Sequence, residues 1–287
     1  MDTASTLAPP LSRRALFSGL GLSTSPVAAM HTPDSDQRHS ALAPDDAPTP
    51  AFPTPPNVPR WLTKASYGYS AAAQADFNAL TGGNDDARWT TWVNQQLAPA
   101  SISDVDCNNR IAAAGYTTLG KTLQQLWADH VVADPPYFTR LLPTSEAEAA
   151  TLIRAVYSRR QLFERATNFW HDHFNVLGWE YDIAPIFVSY DRDVIRPNVF
   201  GNFRVMLEAV AKSTAMQLYL DQYASRGAAF NENYARELIE LHTMGVANYY
   251  GPTDPFQVPC LGTPLETNVH CDGTMPAGYV DNDVYEA

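Results

Sequence analysis

The chain has 287 residues, 45% hydrophobic and 17% charged, which is enough apolar material for a packed core and too little charge for a disordered chain. Nineteen Lys+Arg against 31 Asp+Glu give a net charge of −12, which excludes the basic face that nucleic acid requires and a polybasic membrane anchor. Three cysteines are too few for a disulfide scaffold or a four-cysteine zinc site, and no apolar run reaches the roughly 18 residues a membrane span needs.

The N-terminus carries Arg13-Arg14 just before the mildly apolar run Ala15 to Leu22, and small residues follow to Val27-Ala28-Ala29. A charged region, a short apolar region and an A-x-A-like end in that order predict a secretory leader over residues 1–29, of the twin-arginine type. Such a chain is exported to the periplasm or beyond. Residues 30–59 hold eight of the 22 prolines. Proline fixes φ and removes backbone donors, so this stretch is predicted to be an extended, disordered linker.

From residue 60 onward the 3.6-residue period dominates, and the prediction is an all-α, multi-helix globular domain. Ala71 to Leu80, Arg88 to Leu97 and Leu119 to Val132 are amphipathic. A long helix is expected from Ser145, with Glu148 completing a capping box, through Leu152, Val156, Leu162 and Phe169 to His173. Another runs from about Val199 to Leu220 with a break near Ser213-Thr214. A third opens on Asn231 and stops at Gly245.

No G-x-S-x-G, P-loop, H-E-x-x-H or C-x-x-C motif is present. Two clusters carry the remaining chemistry. The first is Phe169-Trp170-His171-Asp172-His173-Phe174, two imidazoles and a carboxylate in an aromatic frame. Two residues apart on a helix is about 200° of rotation, so both rings can face one point only if the helix ends there. Taken alone, the hexad fits a core His173 bonded to backbone and a solvent-facing His171. The second cluster is the run from Asn231 to Val246. There Asn233, Glu237 and Glu240 share one side, His242 another, and Glu232 pairs with Arg236 one turn on. Glu237 and His242 lie about 140° apart on a helix, so neither cluster is a self-contained metal box.

The chain resembles the bacterial domain-of-unknown-function-1800 family. The resemblance rests on Arg60 to Gly68, Tyr157-Ser158-Arg159-Arg160-Gln161-Leu162, the hexad, Gly201-Asn202-Phe203-Arg204 and above all Asn231 to Val246. It implies an exported, mainly helical protein and supplies no reaction. Two departures stand out. Residues 250–278 look like a loop insertion, in which Cys260 and Cys271 are disulfide candidates in an exported protein, leaving Cys107 unpaired. The segment from Asp281 to Ala287 reads as a helix start, as expected for a C-terminally truncated member.

Two functional readings follow. In the first, His171, His173, Glu237 and His242 meet between two helices as catalytic or metal-ligating groups, with Glu232, Asn233 and Arg236 as binding residues. These types suit a transition metal ion or a metal-free acid/base pair, in which a His moves the proton, Glu237 sets its tautomer and Arg236 holds an anionic group. In the second, the chain is a non-catalytic envelope protein, binding a protein partner or a glycan through some of its 14 Tyr, 12 Phe and 6 Trp.

Overall fold

The computed structural model describes residues 57–226, 231–252, 258 and 278–286. The leader, nearly all of the linker and the stretch bearing Cys260 and Cys271 lie outside the described residues. Within them the chain is all-α: helices are joined by turns, and an isolated parallel bridge pairs Tyr249 with Tyr279.

α1 (Asn57–Ala65) begins inside the expected linker, with Pro59 in its first turn, where a missing N–H leaves no helical bond unmade. α2 (Ala71–Asn78) and α3 (Asp85–Gln96) start on the side chains of Ser70 and Asn84, which accept from Ala73 N at 3.1 Å and Ala87 N at 2.9 Å. Val58, Leu62 and Phe77 form a small core here. Trp61, Trp89 and Trp92 lie against it in a stack with ring centroids 5.3 and 5.0 Å apart. α4 (Val105–Ala113) has no counterpart among the helices expected from periodicity.

α5 (Leu123–Trp127) opens on a Thr122–Gln125 capping box and runs on as a π-helical turn over Ala128–Val132. After α6 (Tyr137–Arg140), α7 (Leu142–Tyr157) begins three residues before Ser145, with Pro143 in its first turn and no side-chain cap, so the expected Ser145–Glu148 box does not form. Leu152 and Val156 are exposed rather than part of a buried stripe. The helix also stops at Tyr157. Buried Asp104 accepts from Ser158 Oγ at 2.8 Å and from Arg159 N at 2.7 Å, which holds Ser158 extended (ψ 135°). The long helix is therefore two, and α8 (Gln161–His173) starts afresh.

α9 (Phe187–Ser189) passes into a π-helical segment, Tyr190–Ile195, and then a 3-10 turn over Arg196–Asn198. α10 (Phe203–Lys212) is broken from α11 (Thr214–Tyr219) at Ser213, whose hydroxyl caps α11 through Met216 N. α12 (Asn233–Glu240) starts two residues after Asn231, whose side chain accepts from Asn233 N at 3.0 Å. It ends at Glu240, before Gly245, which takes φ +87° and donates to Ile239 O. α13 (Asp281–Glu286) lies near α12.

The main core joins these last elements. Phe174, Ile183, Ile186, Tyr190, Ile195, Met206, Val210, Met216 and Tyr234 pack together out of solvent. Each such side chain contributes roughly 1.5–3 kcal/mol by leaving water. The C-terminal end of α8, the π-helical segment and α12 therefore meet around one apolar centre, which buries most of the charged groups they bring to it in pairs.

Candidate functional site

The first polar cluster begins with His171. Its Nε2 lies 3.0 Å from Asp191 Oδ1, and Asp191 Oδ2 accepts from Arg196 Nε at 2.8 Å. Arg196 in turn grips Glu164 with both terminal nitrogens, at 3.1 and 2.9 Å, and Arg154 stands 4.0 Å from Asp191. The side chains of Asp191, Arg196 and Glu164 are only 10%, 13% and 6% exposed, while that of His171 is 19% exposed. Burial alone would raise the Asp191 carboxyl. The His171 hydrogen bond and the Arg196 charge outweigh it and hold that carboxyl far below the usual carboxylate range. An ionised Asp191 accepts a proton-bearing Nε2, which leaves Nδ1 as the basic nitrogen of neutral His171.

His173 turns elsewhere, as its rotation on α8 demands. Its Nε2 lies 3.1 Å from the His242 carbonyl oxygen, so it donates there, and the two imidazole centroids are 6.4 Å apart. Phe169 stacks on one side of His173, with Trp170 and Phe174 edge-on. His242 is 4% exposed, packed against Phe174 and Tyr234, and its Nδ1 has no hydrogen-bond partner. Burial and the neighbouring His173 push its pKa down to about 4, so it is neutral at physiological pH.

The structure thus brings His173 and His242 together, while His171, about 200° around α8 from His173, meets the carboxylate of Asp191. On α12, Arg236 pairs with Glu232 at 3.4 Å and with Asp281 of α13 at 3.8 Å. Asn233 Nδ2 donates to Leu220 O at 3.4 Å, and the Glu237 carbonyl accepts from both Leu241 N and His242 N. Among the described residues no group of three His, Cys, Asp or Glu side chains is placed to hold one metal ion.

Asp191, Arg196, Glu164 and Arg154 escaped the reading of motifs. The signal available for two of them was Asp191 and Arg196 themselves: with Arg192 and Asp193 they are the charges of the largely apolar stretch from Ile183 to Val199, and any that is buried must be paired.

The fold is that of an all-α protein, and no helix of its described residues is long and apolar enough to cross a membrane. The chain belongs to the family described as "Protein of unknown function (DUF1800)", whose model matches residues 60–286. No curated protein and no solved structure matches it.

Proposed function

We propose that this chain is an exported protein in which His171 works as a general acid/base, oriented and charge-balanced by Asp191. The leader pattern of residues 12–29 supports export. The observation that carries the chemistry is the 3.0 Å contact between His171 Nε2 and Asp191 Oδ1, with the carboxylate itself pinned by Arg196. A carboxylate fixed in this way selects one imidazole tautomer and stabilises the imidazolium once the ring has taken a proton. Asp191 fills the orienting role that the acid/base reading of the sequence gives to Glu237. The ring is partly exposed at the edge of a network whose carboxylates are buried, so proton exchange with a bound polar substrate occurs at Nδ1. Arg154, beside Asp191 and 21% exposed, offers a cation for an anionic group of that substrate.

The test is an activity screen of purified protein against activated esters, phosphoesters and glycosides, followed by His171→Gln and Asp191→Asn. A positioned general base contributes about 10²–10⁴-fold, so His171→Gln is expected to lose that much turnover while keeping its melting transition. Turnover that is unchanged in His171→Gln refutes the assignment.

A further inference from the structure

A cleft of about 710 Å³ opens between α1–α3 and the α7–α8 junction, and neither His171 nor His173 lines it. Its walls alternate rings with polar groups: Tyr69, Trp92 and Tyr157 supply the rings, and Asp76, Gln95 and Ser103 the polar atoms. The rings are braced from behind. Trp92 stacks on Trp89 with centroids 5.0 Å apart and planes 9° from parallel, and the Arg110 guanidinium covers one face of Tyr157 at 3.9 Å. Each of these two rings therefore has at most one face left for a ligand. Tyr69 is 49% exposed, and the Gln95 side chain is exposed as well.

Rigid one-faced rings flanked by hydroxyl and amide groups match a sugar, which presents an apolar C–H face to a ring and hydroxyls at its edges. The charge balance points the same way. Asp76 and Arg159 pair at 3.6 Å across the cleft, so its one carboxylate is already met by a cation and an uncharged ligand is favoured. Enzymatic glycoside hydrolysis generally uses two carboxyl groups, roughly 5–10 Å apart. Among the described residues Asp76 is the only acidic one in the lining. A peptide adding to a sheet is ruled out as the occupant's mode, because no strand edge is present among the described residues.

We propose that this cleft binds a neutral oligosaccharide without cleaving it. The experiment titrates the full chain with glucose and N-acetylglucosamine tetramers, followed by tryptophan fluorescence and calorimetry, with a proline-rich peptide as the competing ligand. Saturable binding of one tetramer is expected, weakened about tenfold by Tyr69→Ala, the loss of one good ring contact. Gln95→Ala weakens it several-fold. Both side chains are exposed, so both variants keep the wild-type melting transition. Saturation by neither tetramer, tighter binding of the peptide, or affinity unchanged in both variants overturns the proposal, and release of shorter sugars overturns its non-hydrolytic part.

Discussion

His171 and Asp191 meet at 3.0 Å across twenty positions of sequence, one at the C-terminal end of α8 and the other in a π-helical segment. The second half of that relationship is Arg196, which pairs with Asp191 and Glu164 at once. Departures into π-helix recur where a side chain must be re-aimed for function. Here the departure places the Asp191 carboxylate against an imidazole in an otherwise apolar core.

Arg196 is the residue whose loss damages this arrangement most. Arg196→Met leaves the buried carboxylates of Asp191 and Glu164 without their shared cation. Removing one member of a buried ion pair costs about 3–5 kcal/mol. Chemical denaturation of the variant is expected to show a loss of that size, partly restored by adding Glu164→Gln. A loss below about 1 kcal/mol contradicts the network.

The buried imidazole of His242 sets an acid limb of stability. Its pKa falls from 6.5 unfolded to about 4 folded. Between those values the unfolded chain binds the extra proton, so stability falls as pH drops from about 6.5 to about 4 and is unaffected above that window. The full effect is about 3 kcal/mol at 1.36 kcal/mol per pKa unit. His242→Phe is expected to flatten this limb in thermal melts across the range. Asp191 acts lower: its depressed carboxyl stabilises fully above about pH 4, and that contribution is lost as pH falls further.

Cys107 is buried at 1% exposure and free, and burial followed by the charge of Asp104 pushes its thiol up to about 11. The thiolate is the reactive species. Iodoacetamide at neutral pH, with labelled sites mapped by mass spectrometry, is expected to leave Cys107 unmodified in the native protein and to modify it fully in denaturant. Rapid native labelling contradicts its placement.

Metal content separates the acid/base reading from a metal centre. Elemental analysis of purified protein is expected to find no stoichiometric transition metal, with the melting temperature unchanged by a chelator. One equivalent of metal, lost in both His171→Ala and Asp191→Ala, contradicts the acid/base reading.

The helical class and the helix beginning at Ala71 were legible because they depend on neighbours in sequence. The break at Ser158 was not, because it is imposed by Asp104, more than fifty residues away. The same limit applies to the site. Aromatic framing pointed to His171 and His173, and the second cluster pointed to His242, which does meet His173. Rotation about α8 predicts that the two rings of the hexad diverge, yet it does not say what each meets. Asp191 was hidden because a π-helical segment breaks the 3.6-residue period from which its facing would be read. Around residues 250–278 the chain ends of the stretch are joined by Tyr250 N donating to Tyr279 O at 2.9 Å. Gly278 is required there, because a Cβ would collide with the Asn248 carbonyl and the Tyr250 ring. The Cys260–Cys271 pairing itself lies outside the described residues.

The most direct measurement is the tautomer of His171, read by long-range proton–nitrogen NMR on histidine-labelled protein at neutral pH. The account predicts a proton on Nε2 and a lone pair on Nδ1, with this preference lost in Asp191→Asn. A proton on Nδ1, or a ring indifferent to Asp191→Asn, contradicts it.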